Sequence, residues 1–187
     1  MKRKIMSDLI EWKNSKNRKP LILKGARQVG KTYILKEFGN KYYNNVAYFN
    51  FDHDNGLYSL FENSKNPERI IEQLSLVNGS KIEKGKTLIF DEIQECPDAL
   101  NSLKYFCEDE PEYHIACAGS LLGIRLSKTS FPVGKVDFLN LYPMTFSEFL
   151  EADGRGNLVE FMKTIHNIEN IPKIFEDELI EKLKIYY

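Results

Sequence analysis

Short continuous apolar runs alternate along this chain with longer stretches in which apolar residues recur every three or four positions. The alternation predicts strands separated by helices, and so a parallel sheet covered by crossover helices. PLILK, residues 20–24, reads as a buried strand closed by Gly25, and the helix that follows is expected over 31–38 with Gly39 as its stop. VAYFNF (46–51) is the second strand, and the polar run 52–56 its loop. Asn66 then caps a helix that has Pro67 at its first position and Ile70, Ile71, Leu74 and Val77 on one face.

TLIF (87–90) is the third strand, Pro97 opens a helix carrying Leu100, Leu103 and Phe106, and residues 113–118 and 135–141 supply the fourth and fifth strands. Upstream of all these, Ile5, Leu9 and Trp12 form the inward face of a basic N-terminal helix. Thr145 and Glu148 have capping-box spacing, so a helix starts there and stops near Gly154. The reading divides the chain into a core of residues 1–152 and the start of a helical second unit at 153–187. In that unit Ile174, Phe175, Leu179, Ile180 and Leu183 share an apolar face.

Composition narrows the class without deciding it. The 187 residues suffice for one domain, and 26 basic against 27 acidic residues give no bulk charge to favour a nucleic acid or an anionic membrane. Cys96, Cys107 and Cys117 are an odd set without paired spacing, so reduced apolar thiols are expected rather than a disulfide framework or zinc site. No run approaches a membrane span and the N-terminus lacks a signal peptide's apolar stretch, so the expected compartment is the cytoplasm, with no membrane partner.

The chemistry concentrates in two segments. GARQVGKT, Gly25 to Thr32, fits G-x-x-x-x-G-K-[ST] between a predicted strand and a predicted helix. Glycines there let successive amides of Gly25, Ala26, Arg27, Gln28, Val29, Gly30, Lys31, Thr32 and Tyr33 cradle phosphate oxygens at a helix N-terminus. Lys31 would neutralise β and γ phosphates, and the Thr32 hydroxyl would enter a Mg²⁺ shell. TLIFDEIQ, 87–94, delivers two acids to the carboxyl end of a strand, where open α/β sheets hold ligands. Asp91 would reach Mg²⁺ through water, and Glu92 would orient and deprotonate the attacking water. Asp52, His53 and Asp54 cluster in a loop without metal-ligand spacing and read as solvated.

GARQVGKT, IFDEIQECP, ACAGSLLG and LYPMTFSEFL stand in an order and spacing that resembles the additional-strand P-loop ATPases, in particular the AAA-type ATPases of bacteria and archaea. The likeness covers about residues 18–152. It implies an α/β three-layer sandwich with a mostly parallel five-stranded sheet of order 5-1-4-3-2. ATP and Mg²⁺ are the implied cofactors, and a C-terminal effector domain commonly follows in this family. The resemblance puts a sensor at Ser120, with a turn serine as the plainer alternative. Where relatives carry an arginine before the fifth strand this chain has Lys135, which lacks the planar fork. Arg125 is therefore the better candidate for charge on the transition state.

The function read from the sequence is Mg²⁺-dependent ATP hydrolysis that moves whatever follows residue 152. The alternative is a nucleotide-gated module that binds DNA or protein with little turnover. A small-molecule kinase and a GTPase fit less well, the first because Glu92 follows Asp91, the second because no N-K-x-D segment occurs. Partners left open are ATP or ADP, a second copy of the chain, and DNA or protein engaged through a region beyond Tyr187.

Overall fold

The computed structural model describes residues 3–52, 54–120, 132–165 and 171–187. They form two compact units, one of residues 5–142 and one of residues 1–4 with 143–187.

The larger unit holds strands β1 (Leu21–Gly25), β2 (Val46–Asn50), β3 (Thr87–Asp91), β4 (His114–Ser120) and β5 (Asp137–Asn140). Every neighbouring pair is parallel and the order is β2-β3-β4-β1-β5, the 5-1-4-3-2 arrangement read from the other edge. Sheets of this kind are covered on both faces, which is why their strands read as continuous apolar runs. β3 is buried from Thr87 to Asp91.

The pleat sorts side chains between two cores. Ile22, Phe49, Leu88, Phe90, Ile115 and Cys117 face α3 (Asn55–Asn63), α4 (Pro67–Asn78) and α5 (Pro97–Asp109), where Phe51, Phe61 and Phe90 meet edge-on at 5.5–5.9 Å. Leu21, Leu23, Ile89, Ala116 and Ala118 face α1 (Ile5–Asn14) and α2 (Lys31–Tyr42).

Two local expectations fail for identifiable reasons. Gly39 does not stop α2, which runs on to Tyr42. A Cβ at Gly39 would come within 2.8 Å of Val46 Cγ2, so glycine is required by the packing of β2 against the helix. The loop assigned to 52–56 gives way early to α3, whose start is capped by Asp54 accepting from the Leu57 amide at 3.0 Å. Leu57 and Phe61, one turn apart, are the buried stripe that could have announced it. As expected, Ile5, Leu9 and Trp12 are buried on α1, and Cys96 and Cys117 are buried free thiols.

In the smaller unit, α6 (Phe146–Ala152) begins with the expected capping box: the Glu148 amide donates to Thr145 Oγ1 at 3.2 Å, and the Thr145 amide to Glu148 Oε2 at 2.9 Å. Glu148 Oε1 accepts from the Lys4 amide at 2.8 Å and pairs with Arg3 Nε at 3.3 Å, so Arg3 is a buried ion-pair partner and not part of a basic surface. α7 (Gly156–Thr164) and α8 (Lys173–Tyr186) complete this unit around Leu150, Leu158 and Val159. Among the described residues no helix is long and apolar enough to cross a membrane.

Candidate active site

β1 hands the chain to α2 through residues 26–30, and the turn is shaped by two left-handed residues, Gln28 at φ 64° and Gly30 at φ 90°. Glycine is needed at position 25 as well, because a Cβ there would lie 2.4 Å from the Leu141 carbonyl oxygen. No side chain caps α2, which leaves the first-turn amides without a side-chain acceptor. Such amides, reinforced by the helix dipole, are a ready anion site.

Lys31 is only 8% exposed, and its Nζ donates to the Ala26 and Gly25 carbonyls at 2.7 and 3.1 Å. Among the described residues no carboxylate lies at ion-pair distance from it. Burial pulls its pKa below the ordinary lysine value, while Glu92 and then Asp91 act in the opposite sense. A buried ammonium held by two neutral carbonyls is suited to an incoming polyanion.

Across the sheet, Asp91 is 4% exposed and accepts three hydrogen bonds: Oδ2 from the Tyr48 phenol at 2.8 Å, Oδ1 from Thr32 Oγ1 at 3.1 Å and from the Glu92 amide at 3.2 Å. Glu92 itself adopts φ 51°, ψ 42°. A left-handed glutamate at a strand end is a strained backbone of the kind that collects at functional sites. Gln94, in a 3₁₀ turn over 93–95, donates to the Glu92 carboxylate and accepts from the Ser120 amide at 3.3 Å. One side-chain amide thus ties the candidate base to the end of β4.

These groups surround a cavity of about 540 Å³. Arg27, Gln28, Gly30, Lys31, Thr32, Tyr33, Glu92 and Ser120 line it, all of them sequence candidates. Gly25 and Ala26 supply the carbonyls that hold Lys31, and Val29 packs into the core on the α2 side of the sheet. Asp91 stands behind Thr32. Asp52, which the sequence reads only as part of a solvated loop, also lines the cavity, as does Glu95; Glu95, Tyr48 and Gln94 are not candidates on the sequence alone. Tyr48 sits in the apolar run of β2 and reads there as core; only the β2–β3 register, which sets Asn50 opposite Asp91, brings its phenol to the site.

Lys135 pairs with Glu108 at 2.8 Å on the surface, which accounts for its charge. Arg125 and His53 lie outside the described residues. The donors in reach, hydroxyl and carboxylate oxygens, suit a hard cation. Among the described residues no cluster of three or more His, Cys, Asp or Glu could hold a metal alone. The residues therefore fit Mg²⁺ only as a shell completed by phosphate and water oxygens.

Comparisons with known proteins bear on the family and the fold. A family model described as "AAA domain" matches residues 17–150. Among solved structures, the Walker-type ATPase PABY2304 of Pyrococcus abyssi is similar at 18% identity and a TM-score of 0.57, covering 98% of this chain and 62% of that one. The C. elegans protein PCH-2 is 15% identical at a TM-score of 0.48, covering 90% of this chain and 49% of its own. The present chain thus spans 62% of the length of the P. abyssi protein. No curated protein matches the sequence. With the family match spanning more than half of the chain and the sheet order in agreement with a P-loop fold, the chain belongs to the AAA domain family.

Proposed function

We propose that the larger unit binds ATP with Mg²⁺ and hydrolyses it, and that turnover moves an effector following residue 152. The observation that carries this reading is the convergence of a buried Lys31 ammonium, the Thr32–Asp91 pair and the strained Glu92 around one cavity. The α2 amides wrap the phosphates, and Lys31 exchanges the Gly25 and Ala26 carbonyls for β and γ phosphate oxygens. Thr32 and Asp91 would hold Mg²⁺, which when bound neutralises charge developing on those oxygens. Glu92 accepts a proton from the attacking water, and Ser120 faces the terminal phosphoryl group. Arg125 or Arg27 would add positive charge to the transition state.

A second reading has its own support. The Glu92 carboxylate is engaged by Gln94, an arrangement that suits a nucleotide-gated module in which occupancy sets the conformation of a DNA- or protein-binding partner.

Calorimetric ATP binding and phosphate release separate the readings. Lys31→Ala is expected to weaken ATP binding by about a hundredfold or more. Glu92→Gln should retain ATP and lose about 10²–10⁴-fold in turnover. Equal ATP affinity in Lys31→Ala and the parent would discard the phosphate-loop assignment, and an unchanged rate in Glu92→Gln would leave only the gated module.

A further inference from the structure

We propose that Tyr48 is a positioning residue for the metal site, fixing the Asp91 carboxylate so that its remaining acceptor capacity is aimed at a metal-bound water. The proposal rests on the reading of Asp91 as the Mg²⁺-side acid. It is argued from the way Asp91 is held. Asn50 is the residue of β2 that pairs with Asp91, so Tyr48 lies two positions back on the same face of the sheet. From there the phenol reaches Oδ2 at 2.8 Å, while Thr32 Oγ1 and the Glu92 amide share Oδ1 at 3.1 and 3.2 Å.

An ionised carboxylate has about four acceptor positions. Three neutral donors use three of them and lock the plane of the group without cancelling its charge. Buried to 4% exposure and, among the described residues, with no cation at ion-pair distance, that charge is left for a divalent ion to satisfy. Removing the phenol would let the carboxylate rotate about the Thr32 contact and re-aim its oxygens. The ring is itself held: Lys36 of α2 places Nζ 3.5 Å from the Tyr48 ring centroid, and a cation on that face draws electron density from the phenol and makes it a stronger donor.

The test is Mn²⁺ binding followed by electron paramagnetic resonance on the full chain with ADP present, alongside ADP binding without metal. Tyr48→Phe keeps the ring and removes one oxygen. It should weaken Mn²⁺ in the ADP complex about tenfold, leaving metal-free ADP affinity unchanged. In an Asp91→Asn background the same substitution should add less than about twofold, because the two groups act as a unit. Lys36→Gln, on an exposed helix position, should weaken Mn²⁺ about two- to threefold and decides the matter if Tyr48→Phe does not fold. Parent-like Mn²⁺ affinity in Tyr48→Phe, or an undiminished effect of it on top of Asp91→Asn, overturns the proposal. A parent that binds no Mn²⁺ with ADP, or binds it equally well as Lys31→Ala, overturns the phosphate-loop reading beneath it.

Discussion

Two tyrosines make the same 2.8 Å hydrogen bond at opposite ends of the sheet, and the bonds mean different things. At the amino end Tyr43 Oη pairs with Nδ1 of His114, the first residue of β4. At the carboxyl end the Tyr48 phenol donates to Asp91. Around His114 the surroundings close up: Trp12 and Tyr43 meet the imidazole edge-on at 6.4 and 5.4 Å, Trp12 Nε1 donates to the Lys19 carbonyl at 2.8 Å, and Arg18 donates to the Lys13 carbonyl at 2.9 Å. The imidazole is neutral at pH 7, because burial first and then the charges of Arg18 and Lys13 lower its pKa to about 4, and it leaves no charge over for a ligand. Around Asp91 two buried opposite charges, its own and that of Lys31, are each held by neutral groups; Lys31 lines the cavity and Asp91 stands behind Thr32, which lines it too. A satisfied polar pair strengthens a core, whereas a pair that leaves charge over is prepared for a ligand.

The largest effect that should sharpen this contrast is at the closed end. Trp12 is 6% exposed, and Trp12→Ala should remove about 3–5 kcal/mol of stability by leaving a cavity beside Phe38 and His114. Thermal unfolding should fall by roughly 10 °C, with ATP affinity of the folded protein unchanged. A loss of ATP affinity as large as the loss of stability would break the separation of the two ends.

The next effect is the pH dependence of His114. Burial first, and the charges of Arg18 and Lys13 after it, lower its pKa from 6.5 to about 4. Above pH 6.5 both folded and unfolded chains carry neutral imidazole and the group contributes no pH dependence. As the pH falls from 6.5 toward 4, the unfolded chain takes up a proton that the folded one refuses, so stability declines across that window. The decline should be about 1–2 kcal/mol, less than the full linkage value because the half-buried ring is partly screened by solvent. His114→Gln should flatten this part of the denaturation profile. A profile that keeps its slope in the variant would place the titrating group elsewhere.

What could be read from the sequence, and what could not, follows the same contrast. GARQVGKT and the acids after TLIF are local patterns whose meaning is carried by the backbone around them, so the gathering of Arg27, Gln28, Gly30, Lys31, Thr32 and Glu92 about one cavity was legible. The capping box at Thr145 was legible for the same reason. Gly39 was misread because the packing of Val46 on a helix interior has no signature in neighbouring residues. Tyr48 and Gln94 escaped notice because their roles exist only through tertiary hydrogen bonds. A tyrosine amid Val46, Ala47 and Phe49 looks apolar until the strand beside it is known, and the strand order itself came from a family resemblance and not from periodicity.

The smallest expected effect concerns the strain at the open end. Glu92 holds φ 51°, a region that costs a residue with a Cβ roughly 1–2 kcal/mol and costs glycine almost nothing. Glu92→Gly gives up the hydrogen bond from Gln94 but relieves that conformation, so the net change should be a stabilisation of about 0.5–1 kcal/mol. For a chain of 187 residues this is a rise of about 1–3 °C in Tm. Phosphate release should vanish together with the carboxylate. A more stable protein that no longer turns over is the behaviour of a site in which local stability is given up to aim a functional group. Glu92→Ala separates the two contributions, since it removes the carboxylate and keeps the Cβ; it should lose turnover with no gain in Tm. If Glu92→Gly and Glu92→Ala melt together, the left-handed backbone carries no strain, and Glu92 is as relaxed as the residues around His114.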